Sequence, residues 1–197
     1  MKLKDRIRGY LPVVIDLETS GFNDKTDALL EICAIILGMD ESGSFFPKTT
    51  LHYHIEPFKG ANIEPSAIEF NGIDIDNPFR LAVSEKKALT EIFNHINEDL
   101  KIEDCTRSIL VGHNAFFDLG FVKAATIRSG LKSPFHQFST IDTVSLSALY
   151  CGETVLAKAI SSIGIEWDNN EAHSALYDTT KTSELFCKIF NSKEIEI

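Results

Sequence analysis

The run Pro12-Val13-Val14-Ile15-Asp16-Leu17-Glu18-Thr19 reads as a buried strand that ends in two acids. Val13, Val14 and Ile15 are β-branched and apolar, and Gly21 breaks the run just after Thr19. Side chains alternate along a strand, so Asp16 and Glu18 share one face and Leu17 takes the other. Ala28 to Leu37 is a second apolar run, interrupted by Glu31, and predicts a second buried strand. Gly38 to Pro47 reads as a turn or hairpin tip. From Thr49 to Glu56 the pattern alternates, with Leu51, Tyr53 and Ile55 against His52, His54 and Glu56. That predicts a third strand, antiparallel to the second if the hairpin forms. His52-x-His54-x-Glu56 has the look of a metal motif, but alternation on a half-exposed strand accounts for it at less cost.

Pro57 ends this strand. Residues 58–80 are loop-rich, with a short helix predicted near Pro65 to Phe70. Ser84 to Leu100 is an amphipathic helix capped by Ser84, with Ala88, Leu89, Ile92, Phe93 and Ile96 in one apolar stripe. Ser108 to Gly112 predicts a short strand. Phe116 to Leu131 predicts a helix closed near Gly130. Phe138 to Thr143 carries a strand into a turn, with Asp142 as the cap of the next helix. Helices follow over about 144–150, 154–163 and 174–191, the last after the polar loop Glu166 to Glu171. Strands first, then strands mixed with helices, predict one α/β layered domain over residues 1–197. Residues 1–11, with Lys2, Lys4, Arg6 and Arg8, form a basic segment that reads as a frayed terminus.

Composition narrows the class. The 44% apolar content suffices for a packed core in 197 residues. Cys33, Cys105, Cys151 and Cys187 show no C-x-x-C pairing, which predicts reduced thiols. No apolar h-region follows the basic start, and no apolar run reaches membrane-spanning length. A soluble, cytoplasmic protein without a membrane partner is expected. The net charge of −10 argues against a nucleic-acid partner. Two divalent cations would neutralise four carboxylates, yet the chain would remain acidic. Binding a polyanion would need a local basic patch.

Two acids side by side at a strand end repel each other unless a cation lies between them. Two further stretches carry the same chemistry. Gly112-His113-Asn114-Ala115-Phe116-Phe117-Asp118 leaves a strand and enters a helix. Asp118 suits the helix N-terminus, and His113 and Asn114 read as braces of the turn. Ala172-His173-Ser174-Ala175-Leu176-Tyr177-Asp178 leaves the polar loop and enters the last helix. A five-residue offset does not align His173 and Asp178 on one helical face. A His in the lead-in beside an anchored Asp suits a mobile base next to a fixed ligand.

The order Asp16-x-Glu18, His113-Asn114-x-x-Phe117-Asp118, His173-x-Ala175-x-x-Asp178 resembles the DEDDh branch of the DEDD 3′→5′ exonuclease superfamily. The stretches from Tyr10 to Phe22, Glu56 to Asn62 and Phe70 to Ile73 are similar to its ribonuclease T family. The resemblance implies a ribonuclease H-like fold, a mixed five-stranded sheet flanked by helices. It implies that Asp16, Glu18, Asp118 and Asp178 hold two Mg²⁺ ions, with Mn²⁺ as a substitute. Hard oxygen donors suit Mg²⁺, and two ions can align an in-line displacement at phosphorus. His173 would be the general base; histidine is the side chain that ordinarily exchanges protons near neutral pH.

The same resemblance implies trimming of single-stranded 3′ ends of tRNA and other stable RNA, and digestion of single-stranded DNA. Phe22, Phe70, Phe117 and Phe138 would contact the terminal bases by stacking. Arg6, Arg8, Lys101, Arg107 and Lys132 would form an RNA-binding patch that works across a homodimer. Ser66 stands where the family has a glutamate, so the terminal-base preference is open. The alternatives are an oligoribonuclease, a proofreading exonuclease of a DNA polymerase, or a non-catalytic nucleic-acid-binding module. Such a module would usually have lost an acid, and all four are present.

Overall fold

The computed structural model describes residues 2–192, so Met1 and residues 193–197 of the expected domain lie outside the described residues. Strand β1 (Tyr10–Thr19) is the middle of a five-stranded sheet ordered β3-β2-β1-β4-β5. Its apolar half explains that place, because Leu11, Val13, Val14 and Ile15 are all buried and a central strand is covered on both faces. β2 (Leu29–Met39) pairs antiparallel with β1, and β3 (Phe45–His54) pairs antiparallel with β2. β4 (Arg107–Gly112) and β5 (Phe135–Asp142) run parallel to β1, so the sheet is mixed. The hairpin tip is shorter than the sequence suggests. Asp40 accepts hydrogen bonds from the Ser42 and Ser44 N–H groups at 2.9 and 3.0 Å, which closes the turn and lets β3 start at Phe45. β5 likewise starts early, at Phe135, and its register jumps between Phe135 and Thr140.

Helices flank this sheet. α1 (Leu3–Arg6) and α2 (Pro65–Asn71) are short, and a 3₁₀ turn covers Pro78–Arg80. α3 (Glu85–Ile102) begins at the Ser84 cap and buries the expected stripe. α4 (Ala115–Ser129) ends at Gly130, whose φ of 66° is the left-handed conformation glycine adopts readily. α5 (Thr143–Cys151) and α6 (Leu156–Ser162) lead to α7 (Ala175–Phe190), which packs on β1, β2 and β3. Phe186 of α7 meets Phe45 of β3 edge-on at 5.6 Å. The expected frayed start is instead docked: Leu3 is buried, and Arg6 Nη2 donates to Phe190 O at 2.7 Å. Burial of one apolar side chain and capture of a helix-end carbonyl outweigh the fraying of a short terminus.

The loop that follows the Asp16/Glu18 strand is held from inside. Ser20 Oγ accepts the Ala28 N–H and donates to Asn62 O, both at 2.6 Å. The Asp27 carboxylate accepts from Asn23 N–H at 2.9 Å, Thr26 O–H at 2.8 Å and Asn62 Nδ2 at 3.0 Å. Burial pushes this carboxyl up, but the three donors outweigh it and hold it below its ordinary value. A Cβ at residue 21 would stand 2.2 Å from Asp27 Oδ2. Gly21→Ala should therefore break this network and lower stability by about 1–3 kcal/mol. Chemical denaturation of the variant checks this; an unchanged midpoint would show that Asp27 moves aside freely.

Candidate active site

The sheet register brings the acids into rows. Glu18 lies directly across from Glu31 of β2, and Asp16 across from Cys33. Both acids face the side covered by α7, where Asp178 sits in the first turn. One carboxylate oxygen from each of Asp16, Glu18 and Asp178 falls within 4.8 Å of the others. Asp118, buried in the first turn of α4, stands outside that tight trio but lines the same cavity. This cavity is about 580 Å³ and is also lined by Phe22, Ser66, Phe70, Phe117 and His173.

The entry to α4 is built with care. Asn114 has φ 71°, a left-handed conformation that Asn tolerates, and turns the chain from β4 into the helix. Asp142 Oδ2 accepts the Ala115 N–H at 3.0 Å, while Oδ1 accepts the Val144 N–H at 2.8 Å. The residue expected to cap α5 thus holds the start of α4 as well. His113 braces the turn as expected, with Nδ1 3.0 Å from Thr143 Oγ1 and Nε2 3.0 Å from Thr154 O.

Burial and mutual repulsion dominate the electrostatics. The Glu18 carboxyl is pushed up to about 8 by burial, with Glu31, Asp178 and Asp118 adding to it. Asp118 is also pushed up to about 8, chiefly by burial and then by Asp142. Burial raises Asp16, and Asp118, Asp178, Glu18 and Glu31 raise it further. Asp178 is raised by burial and Glu31 against the opposing effect of the His173 N–H. All four shifts have the sign expected for carboxylates that need a cation to stay ionised. Asp178 Oδ1 is buried and has no hydrogen-bond partner among the described residues. An orphaned anionic oxygen aimed into an all-oxygen cluster fits a hard divalent cation such as Mg²⁺.

His173 is different in kind. It is exposed, its φ is 66°, and its N–H donates to Asp178 Oδ2 at 3.2 Å. Its ring lies 4.4 Å from that of Phe70. Phe22 is 90% exposed and meets Phe117 edge-on at 6.2 Å, so three of the four expected aromatics ring the cavity. Phe138 does not join them. The register jump in β5 puts it at a separate cavity with Tyr10, Arg107 and His136. Of the expected basic group, Arg6 is half-buried with its Nη2 on Phe190 O, and Arg8, Lys101, Arg107 and Lys132 are exposed. Sequence reasoning missed Glu31, which is 5% exposed and presses on three of the acids. The available signal was one charge inside an otherwise apolar strand.

Comparison with known proteins identifies the family. The RNase T exonuclease family model matches residues 13–186. Ribonuclease T of Vibrio campbellii is 60% identical over 193 residues, covering 97% of this chain and 90% of the relative. Ribonuclease T of Vibrio cholerae is 58% identical, with 97% and 86% covered. Among solved structures, E. coli exonuclease I in complex with a dT13 oligonucleotide superposes with a TM-score of 0.70 at 18% identity. That match covers 94% of this chain and 42% of exonuclease I. A 3′-exonuclease that recognises a histone mRNA stem-loop gives 0.69 at 15% identity, with 91% and 63% covered. These distant structures support the fold.

The raised carboxyls have a sign that can be measured. Glu18 and Asp118 move from ordinary values of 4.5 and 3.8 to about 8, so the folded metal-free chain keeps protons that the unfolded chain releases. Stability without metal should therefore fall as pH rises from about 5 to about 8. Added Mg²⁺ should raise the melting temperature more at the alkaline end. Thermal melts in EDTA and in Mg²⁺ check this; a flat EDTA profile would remove the acid cluster as the cause.

Proposed function

The chain belongs to the RNase T exonuclease family and is a 3′→5′ exoribonuclease, and we propose that it trims single-stranded 3′ ends of tRNA and other stable RNA. The observation that carries this reading is the Asp16, Glu18 and Asp178 trio with its orphaned oxygen, at the floor of an aromatic-lined cavity. We assign Asp16, Glu18, Asp118 and Asp178 to two Mg²⁺ ions, which would supply the positive charge that in-line displacement at a phosphodiester needs. Rings at Phe22, Phe70 and Phe117 would stack on the last bases, each worth about 1–3 kcal/mol, and bring the final phosphate over the acids. A single strand can enter such a cavity where a paired end cannot unstack without cost.

His173 takes the proton of the attacking water. The water oxygen bonds to phosphorus as the bond to the 3′ oxygen breaks; that oxygen stays on the shortened strand and takes a proton from solvent, and a nucleoside 5′-monophosphate is released. Exposure of His173 on a left-handed residue beside Asp178 lets the ring move with the substrate while its backbone stays anchored. Asp142 and His113 act by position, holding the start of α4 and with it Asp118.

The basic residues favour a homodimer. Arg8 precedes β1, Lys101 and Arg107 precede and begin β4, and Lys132 precedes β5. These are the starts of the parallel strands, whereas the acids stand at the finish of β1. The separation is roughly 20 Å for the six residues from Tyr10 to Asp16. A second copy can present its basic end, with Phe138, to strands entering this cavity. Single-stranded DNA would follow the same path, since nothing in this scheme depends on the 2′-hydroxyl.

A 5′-labelled single-stranded RNA should shorten stepwise with Mg²⁺ and stay intact in EDTA; intact RNA in both would leave only a binding module. Asp178→Ala should abolish trimming without lowering the metal-free melting temperature, because it removes a repelled carboxylate. Trimming by that variant at the wild-type rate would refute the metal assignment. His173→Ala should lower kcat about 10²–10⁴-fold while RNA affinity changes little. A loss confined to affinity would deny His173 its role as base.

A further inference from the structure

The row that holds Glu18 does not stop at Glu31. Glu31 lies across from His54 of β3, and its neighbour Cys33 lies across from His52. His52 and His54 are two residues apart on one strand, so both project to the same face as Glu31. Donor atoms of Glu31, His52 and His54 all fall within 4.8 Å of one another. Glu56, the carboxylate that the local spacing offers, is exposed and is not part of this group. His52 Nε2 is 2.6 Å from Glu31 Oε1, and His54 Nδ1 is 3.8 Å from Glu31 Oε2. His54 Nδ1 is buried and has no hydrogen-bond partner among the described residues.

We propose that Glu31, His52 and His54 form a second cation site, distinct from the four acids and selective for a borderline transition ion of the Zn²⁺ class. The donor set, two imidazoles and one carboxylate on adjacent strands, is a three-protein-ligand set with a position left for water. Ligands around a tetrahedral Zn²⁺ stand roughly 3.3 Å apart, between the two Glu31–His separations found here. A small rotation of the carboxylate would therefore satisfy both rings and give the orphaned Nδ1 a partner. The ring edges of His52 and His54 are partly open to solvent, at 25% and 38% of their side chains, so an ion has a way in.

Arg80 decides which ion. Its Nη2 is fixed on Leu30 O at 2.9 Å, and its charge acts on both Glu31 and His54. A guanidinium whose charge reaches the site penalises any cation held by charge alone. The penalty is the same for every divalent ion, so Mg²⁺ and Ca²⁺, which gain little from imidazole, keep the least net affinity. An ion with real affinity for imidazole nitrogen tolerates that neighbour better.

The test keeps the two sites apart. In full-length protein carrying Asp16→Asn and Asp178→Asn, the acid site is disabled and Zn²⁺ alone is the probe. Equilibrium dialysis with metal analysis should give one Zn²⁺ per chain at micromolar levels, retained in millimolar Mg²⁺. Adding His54→Gln should weaken binding at least about tenfold. His52→Gln, read the same way, serves if that variant does not fold by circular dichroism. No bound Zn²⁺ in the acid-disabled protein, or equal affinity with and without His54, overturns the proposal. His54→Gln in the otherwise native chain should leave Mg²⁺-dependent trimming intact. Failure of trimming in the native protein would sink the exonuclease reading and leave the Zn²⁺ result standing.

Discussion

Four carboxylates gathered at the end of one buried strand repel one another and have lost most of their water. Every other feature of the site answers that constraint. β1 must be apolar on both faces to occupy the middle of the sheet, and its acids appear only where the strand emerges beside α4 and α7. Asp178 arrives on a helix whose opposite end is anchored by Phe186 and Phe190, both edge-on to Phe45 of β3. Asp118 arrives on a helix whose start is held by Asp142. Rigid elements keep the charges together in spite of their repulsion, and a cation turns that stored cost into binding affinity.

The anchored and the loose parts of the site are divided. Asp16, Glu18, Asp118 and Asp178 sit on strand and helix. His173 and the rings of Phe22 and Phe70 are exposed and stand on loops or a short helix. A cation site needs fixed oxygens, because misplacement by fractions of an ångström costs affinity. In the roles we propose for them, a base and stacking rings meet a flexible strand and benefit from freedom. The exonuclease assignment thus agrees with how rigidity is distributed, as well as with which residues are present.

Glu31 links this acid cluster to the rest of the sheet. It adds negative charge behind Glu18 and is held from the other side by His52. Through one buried side chain, the edge strand β3 senses the centre of the sheet. An ion on the two histidines would therefore change the field at the acids without touching them.

Much of this could be read along the chain. Period-two alternation put Asp16 and Glu18 on one face, Ser84 and Gly130 marked helix ends, and the spaced acid motifs pointed to the exonuclease family. Those features are local, since strand and helix periods depend only on neighbouring residues. Tertiary structure alone decided the remainder. Which carboxylate joins His52 and His54 depends on the hydrogen-bond register between β2 and β3, and that picks Glu31 rather than the nearer Glu56. The placing of Phe138 away from the acid cavity follows from a jump in β5 register, and the hydrogen bond of Arg6 follows from where α7 ends. Contacts between segments far apart in the chain are set by how whole elements pack, and no window of sequence contains that information.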